Sequence, residues 1–187
     1  MRLKFLALTT VLLVFSRPCA FAITVLPLSE EELAKRATVI VTGEVQEVSA
    51  DYDAQHNTIY TYITTRITSV LKGDYEDTFL TLRQMGGTVG DQTVTVPGSP
   101  AYELGDEILV FAGPLGQTGY YGVLGIFYGK YDIILDPQTG KKYVDGASFH
   151  VEHTDPETLK PLPKKVRPEL VYLDSFLSEI RSYVEKD

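Results

Sequence analysis

The segment Thr38–Ser49 (TVIVTGEVQEVS) constrains the fold most strongly, because it interrupts a β-branched strand pattern with a glycine and a change of phase. The valines on either side of Gly43 share one strand face on a period of two, whereas Val48 falls out of phase with them. A glycine and a phase slip within a strand are typical of a bulge or a sharp bend. A strand bent in this way can serve both sheets of a small closed barrel.

A short helix is predicted immediately before this segment. Ser29 and Glu32 have the spacing of a capping box, and Leu28 and Leu33 occupy the positions of a hydrophobic staple. We therefore expect a helix over Glu30–Arg36 that leads into the bent strand with almost no loop.

Residues 1–22 have the pattern of a secretory signal peptide. Two basic residues, Arg2 and Lys4, precede the apolar run Phe5–Phe15, and residues 20–22 read Ala-Phe-Ala, which is the small-x-small form of a cleavage site. We expect cleavage after residue 22 and a protein that is periplasmic or extracellular.

Cleavage would leave residues 23–187 as one domain, which is large enough to bury a core. The only cysteine, Cys19, would leave with the signal. The whole chain carries a formal charge of −8; residues 1–22 hold three basic side chains and no acidic one, so the remainder stands at −11. This charge argues against nucleic acid and anionic membrane surfaces as partners. No second apolar stretch is long enough for an integral membrane segment.

The clearest strand pattern is Thr58–Lys72, in which isoleucines and small residues alternate on one face while Tyr60, Tyr62 and Arg66 lie on the other. Alternation of large and small residues suits the tapered interior of a small barrel. Further strands are predicted at Phe79–Met85, Thr93–Val96, Glu107–Ala112, Tyr120–Leu124, Ile126–Leu135 and Lys142–Val144.

The C-terminal part of the chain predicts a connector and a helix. Residues 150–167 are polar and rich in proline, which favours a connector. Residues 168–186 predict an amphipathic helix, with Pro168 in its first turn. We expect its apolar stripe to dock on the barrel; a helix held out for a partner is the alternative. The stripe comprises Leu170, Leu173, Leu177, Ile180 and Val184.

Together these patterns predict a mainly β protein. The expected architecture is an OB-like barrel of five or six strands, with a short N-terminal helix and an amphipathic C-terminal helix. A two-sheet sandwich is the nearest alternative.

The order of these motifs resembles that of a family of exported bacterial proteins of uncharacterised function. The resemblance covers most of the chain after residue 22 and implies export, but no activity. The motifs that carry it are Leu33-Ala34, Ala37, Ile40-Val41, Gly43, Val45, Thr64, Leu71-Lys72-Gly73, Gly86-Gly87, Gly90, Gly105-Asp106-Glu107 and Val110-Phe111.

A helix followed by V-I-V-x-G-x-V is also similar, at the level of the fold, to netrin-like domains, which include the tissue inhibitors of metalloproteinases. The resemblance implies an OB-type barrel. Those inhibitors bind a catalytic zinc through an N-terminal cysteine that disulfides hold rigid. Here the expected N-terminal residue is Ile23 and no cysteine remains, so the inhibitory residues have no counterpart.

A possible metal site lies in His150, Glu152 and His153, with Asp145 and Asp155 nearby, because imidazole and carboxylate groups are zinc ligands. On a strand, residues three apart point to opposite faces, so only a turn or helix would bring both histidines together. A solvated polar connector is the alternative. A metal ion is the only cofactor that the sequence suggests.

Tyrosines suggest a partner surface, because aromatic side chains often anchor interfaces and small barrels bind ligands on an exposed sheet face. The candidates for contact with a protein or glycan are Tyr60, Tyr62, Tyr120, Tyr121 and Tyr128. In the alternative interpretation, the rings cover glycine-rich strands and fill gaps in the core.

Other motifs favour ordinary structure. Asp51, Asp53 and Asn57 imitate the start of a calcium loop, but the glycine and the bidentate glutamate of that motif are missing. Residues 86–90 are glycine-rich without the lysine of a phosphate loop, which favours a hairpin or a glycine corner. No serine stands in a G-x-S-x-G elbow.

Three functions stay open at the level of the sequence. The first is an exported, non-catalytic binding module that recognises an envelope or extracellular partner, for example a protease. The second is a metal-binding protein or metal-dependent enzyme that uses the histidine cluster. The third is a structural envelope protein.

Overall fold

A computed structural model of the chain describes residues 28–126, 128–146 and 171–186. This part is mainly β, as the sequence predicts. Its helices are α1 (Glu30–Arg36) and α2 (Leu173–Val184). Its strands are β1 (Val39–Asp53), β2 (Thr58–Lys72), β3 (Phe79–Met85), β4 (Gly87–Val89), β5 (Gln92–Val94), β6 (Glu107–Pro114), β7 (Tyr121–Val123), β8 (Lys130–Leu135), β9 (Lys142–Gly146) and β10 (Val171–Tyr172).

Five strands are hydrogen-bonded in a ring, in the order β1-β2-β3-β7-β6 and back to β1. The β3–β7 contact is the one parallel pairing among the described strands, and it consists of a single residue pair, Leu82 with Tyr121. We call this contact the seam. Strands β8, β9 and β10 continue the sheet outward from β6, and β4 and β5 form a separate hairpin. The other four junctions of the ring have between three and thirteen residue pairs each, so the seam is its weakest closure.

Strand β1 holds the ring together because it is paired on both edges. Residues Val39–Glu44 pair with β6 on one edge, while the strand pairs with β2 on the other edge from Ile40 to Asp53. The register with β2 shifts between Thr42 and Gly43 and again between Val45 and Glu47. These irregularities confirm the bulge that the glycine and the phase slip predict.

Two apolar clusters lie on opposite sides of β1 and β6. The ring core is built by the five ring strands and comprises Val39, Val41, Val45, Ile63, Leu80, Leu82, Ile108, Val110 and Ala112. The helix-covered core comprises Leu33, Ala34, Ala37, Ile40, Leu109, Phe111, Tyr128, Tyr131, Val144, Phe176 and Ile180. Successive residues of β1 and β6 alternate between the two cores, which explains why β6 is apolar on both faces.

The helices follow the predicted chemistry, with one correction. The Ser29 hydroxyl accepts a hydrogen bond from the Glu32 backbone N–H at 3.2 Å, and the Glu32 carboxylate accepts one from the Ser29 N–H at 3.0 Å. Helix α2 buries Phe176 and Ile180, so its apolar face docks on the sheet as expected. It does not begin at Pro168, because residues 171–172 pair with β9 as strand β10 and the helix starts only afterwards.

Five strand predictions also need correction. Two strands are longer than predicted, because β6 continues to Pro114 and β9 to Gly146. The strand expected to start at Ile126 starts at Lys130, because the chain turns before it and Ile126 adopts a φ of 64°. The strand predicted over Thr93–Val96 is β5, which starts one residue earlier, ends two residues earlier and pairs with β4 in a hairpin. The strand predicted over Tyr120–Leu124 is β7, which is one residue shorter at each end. The expected signal peptide (1–22) and connector (150–167) lie outside the described residues.

A buried lysine fastens the loop that precedes β6. The Lys130 side chain is only 9% exposed, and its Nζ donates hydrogen bonds to the Ala101 carbonyl at 3.0 Å and to the Asp132 carboxylate at 2.5 Å. The same ammonium lies 5.1 Å from the centroid of the Tyr102 ring. Burial raises the pKa of the Tyr102 phenol.

No helix in the described ranges is long and apolar enough to cross a membrane.

The close approach at Gly43 gives the first prediction. A Cβ at this position would lie 2.5 Å from Thr65 Cγ2 and 2.7 Å from the Arg66 carbonyl oxygen. We expect Gly43→Ala to lower the free energy of unfolding by about 1–3 kcal/mol, because a well-packed strand pair must separate. Urea unfolding measures the change. Gly113→Ala is the matched control on β6, where the nearest atoms stand 3.8 Å away; equal losses in both variants would contradict the account.

Candidate ligand-binding face

Strand alternation builds the candidate site on the outer side of the ring. On β2, Ile59 and Ile63 are buried on the inner side, so Tyr60 and Tyr62 project outward between them. Strand β3 lies beside β2 in a register that places Arg83 opposite Tyr62. Side chains that are directly opposite in an antiparallel pair share one face, so Arg83 joins the tyrosines.

The Arg83 guanidinium is held between aromatic rings. Its central carbon lies 4.5 Å from the centroid of the Tyr60 ring and 5.6 Å from that of Tyr120. Tyr120 also packs against Tyr62, with ring centroids 5.0 Å apart and planes tilted by 60°. Each cation–π contact contributes about 0.5–1 kcal/mol where solvent has access. We call these four residues the aromatic face.

Tyr120 reaches this face from the loop between β6 and β7. The Leu115 N–H donates a hydrogen bond to the Tyr120 carbonyl at 2.9 Å, and the Thr118 hydroxyl donates one to the Leu115 carbonyl at 2.8 Å. The compact turn that results delivers the Tyr120 ring to the edge of β3. The position of Tyr120 on the aromatic face therefore depends on loop geometry, whereas those of Tyr60, Tyr62 and Arg83 depend on strand alternation.

The electrostatic surroundings of Arg83 are unusual. Its Nε–H is fully covered by protein atoms and has no hydrogen-bond acceptor among the described residues. Arg66, on the same outer face, instead pairs with Glu44 in a short ion pair. A buried donor without an acceptor costs about 1–3 kcal/mol. Arg83 thus keeps a charge that the described part of the chain does not neutralise.

An apolar cavity of about 230 Å³ adjoins Arg83. It opens beyond the seam, where β3 continues past Leu82 without a further pair to β7. Six apolar side chains contribute to its wall, and Arg83 is the only ionisable residue among the described residues that line it. The apolar wall comprises Met85, Val96, Pro100, Leu115, Val123 and Ile126.

The loop between β1 and β2 borders the face and uses its polar groups internally. Asp53 accepts hydrogen bonds from the His56 imidazole at 2.8 Å and from the Gln55 backbone N–H at 2.9 Å. The hydrogen bond from His56 lowers the pKa of Asp53. The His56 ring stands at the edge of the Tyr60 ring, with centroids 6.5 Å apart. This is an ordinary connecting loop, as the incomplete calcium motif indicates.

A larger cavity, of about 590 Å³, lies between β9 and the start of α2. Tyr172 lines it together with Lys141, whose ammonium lies 4.9 Å from the Tyr172 ring centroid. A hydrogen bond with Tyr143 and the charge of Lys141 lower the pKa of the Tyr172 phenol. Its chemistry is a phenol pair beside a lysine, and it is separate from the aromatic face.

The five predicted surface tyrosines divide into three groups. Tyr60, Tyr62 and Tyr120 meet on the aromatic face. Tyr121 turns toward the ring core and packs edge-to-face on Tyr75, with centroids 5.7 Å apart. Tyr128 is only 2% exposed and belongs to the helix-covered core, so we correct its place in the partner surface. The helices cover that side of the sheet, so the aromatic side chain of Tyr128 fills the helix-covered core.

The possible metal residues His150, Glu152 and His153 lie outside the described residues, so that site stays a prediction. Among the residues that the structure describes, no three His, Cys, Asp or Glu side chains are grouped as metal ligands would be.

Sequence reasoning missed Arg83. The alternation of Phe79–Met85 puts it on the outer face of β3, which is the signal that could have found it. No protein-family model and no curated protein matches the chain.

Arg83 and Lys130 give contrasting predictions for stability. We expect Arg83→Met to change the free energy of unfolding by no more than about 0.5 kcal/mol, because losing the cation–π contacts is offset by removing the unsatisfied Nε–H. Lys130→Met should cost about 1–3 kcal/mol, because it removes two hydrogen bonds and leaves Asp132 without its cation. Urea unfolding of both variants measures this contrast. A loss above about 1.5 kcal/mol for Arg83→Met would assign Arg83 a structural role.

Proposed function

We propose that this protein is an exported, non-catalytic binding module that recognises a protein partner through the aromatic face. The observation that carries the proposal is the grouping of Tyr60, Tyr62 and Tyr120 around Arg83 on an outer sheet face. Tyrosine and arginine are among the residue types that most often dominate the binding energy of protein interfaces. An arginine fixed between rings also loses less side-chain entropy when a partner binds.

We further propose that the ring is an OB-like barrel. In support, it has five strands and one parallel pairing, between β3 and β7. OB-folds bind ligands on the face of their second and third strands and in two flanking loops. In this chain the aromatic face lies on β2 and β3. The loop that carries His56 and the loop that delivers Tyr120 flank it.

Export is part of the proposal and rests on the sequence. Residues 1–22 have the charge, the apolar run and the cleavage-site pattern of a signal peptide. The resemblance to a family of exported bacterial proteins agrees with this. The partner is then a protein of the envelope or of the medium, and an extracellular protease is one such candidate.

Affinity capture with matched variants tests the function. The chain from residue 23 onward is immobilised, and extract and culture medium from the native organism are passed over it. We expect a stoichiometric protein to be retained, and Tyr60→Ala combined with Tyr120→Ala to reduce its affinity at least about tenfold, since such anchors are worth about 2 kcal/mol or more. Mass spectrometry and surface plasmon resonance provide the readouts.

Tyr52→Ala is the control, because Tyr52 is 42% exposed but is paired with Ile59, on the opposite side of the hairpin from Tyr60. This variant should bind as the unaltered protein does. Retention that the double tyrosine variant leaves unchanged would refute the aromatic face as the binding surface. A column that retains only glycans would replace the protein partner with a saccharide.

A further inference from the structure

We propose that Arg83 and the cavity at the seam form a site for the carboxy-terminal residue of a polypeptide, with the terminal carboxylate on Arg83 and an apolar side chain in the cavity. This inference rests on the proposed function, because it names the part of the protein partner that the face recognises. Three observations lead to it: the charge of Arg83, the apolar wall and the unpaired edge of β3.

The charge argues for an anion. An arginine does not deprotonate in proteins, and none of the ion pairs among the described residues includes Arg83. The chain as a whole is acidic, at −8, so an unneutralised cation in a cavity wall is not part of a basic surface. A guanidinium that stacks through its faces still has in-plane N–H groups, which match the two oxygens of a carboxylate.

The count of cations favours a carboxylate over a phosphate. A phosphate group carries nearly two charges and is typically held by a cluster of arginines. Arg83 is the only ionisable side chain among the described residues that line this cavity. A single guanidinium matches a single negative charge.

The apolar wall argues for a hydrocarbon group next to that charge. Met85, Leu115 and Ile126 are among the six apolar residues that line the cavity of about 230 Å³. Apolar walls with few polar groups are typical of ligand pockets, in which the polar group fixes the orientation. Ile126 is β-branched and yet has a φ of 64°, a strained conformation of the kind that often accompanies binding sites.

The backbone of β3 argues that the ligand is a polypeptide. Past Leu82, β3 is paired with β2 on one edge, and its other edge has no strand partner among the described residues. An extended peptide can add to such an edge, so that its main chain pairs with β3 while its side chains enter a neighbouring pocket. A free fatty acid shares the carboxylate and the apolar group but cannot use this edge.

Fluorescence anisotropy with defined peptides tests the inference on the unaltered protein. The probe is a fluorescein-labelled pentapeptide of four alanines and a terminal leucine, made with a free carboxylate and, separately, with a terminal amide. We expect the free acid to bind at least about tenfold more tightly than the amide, because a charge-assisted hydrogen bond is lost in the amide. Replacing the terminal leucine with aspartate should weaken binding by a similar factor.

Two arginine variants locate the effect. Arg83→Gln should abolish the difference between free acid and amide, whereas Arg66→Gln, on the same outer face, should preserve it. The Nε–Hε resonance of Arg83 in the unaltered protein should also shift when the free acid is added. This measurement needs no variant and therefore stands even if Arg83→Gln does not fold.

Each contrary result has a defined meaning. Equal affinity for acid and amide, or no binding of the free acid, would overturn the inference. Hexanoate that binds as tightly as the peptide would replace the polypeptide with a small apolar acid and refute the role of β3. The proposed function is judged separately. If a captured partner depends on Tyr60 and Tyr120 but tolerates removal of its terminal carboxylate, the inference fails and the function stands.

Discussion

The double pairing of β1 is the constraint on which the rest of the structure depends. From Ile40 to Glu44 this strand is paired with β2 on one edge and with β6 on the other, so it joins both sides of the ring. Gly43 makes this possible, because a side chain there would collide with Thr65 and the Arg66 backbone. The alternating residues of the same strand feed two separate cores. One strand therefore fixes the closure of the sheet, the inner core and the platform for the helices.

A ring held at β1 has its weakest closure on the far side. The seam between β3 and β7 rests on the pair of Leu82 with Tyr121, and the cavity opens beyond it. Arg83 stands at the boundary between this cavity and the aromatic rings, where its charge is unneutralised by the described residues. The stability of the rest of the ring permits the unsatisfied Nε–H of Arg83. A local cost in folding free energy of this kind is typical of binding sites. The proposed binding site thus lies beside the seam, where a single residue pair closes the ring.

The sequence predicted the features that depend on local chemistry. The capping box of Ser29 and Glu32, the outward position of Tyr60 and the bulge at Gly43 follow from spacing and alternation alone. It did not predict Arg83, because the contact with Tyr60 needs the register between β2 and β3. Tyr128 was misplaced because its burial depends on helices that dock from distant parts of the chain. The start of α2 was misplaced because pairing with β9 overrides the helical signal of Pro168.

Amide hydrogen exchange of the unaltered protein tests the central claim, that β1 holds the ring and that the seam is its weakest closure. Amides that are exchanged only by global unfolding report the full free energy of unfolding, while locally opening strands exchange sooner. The account predicts that the amides of Val39–Glu44 and of β6 belong to the slowest group, and that those of Tyr121–Val123 exchange faster through local opening. Equal protection of β7 and β1, or faster exchange in β1 than at the seam, would contradict it.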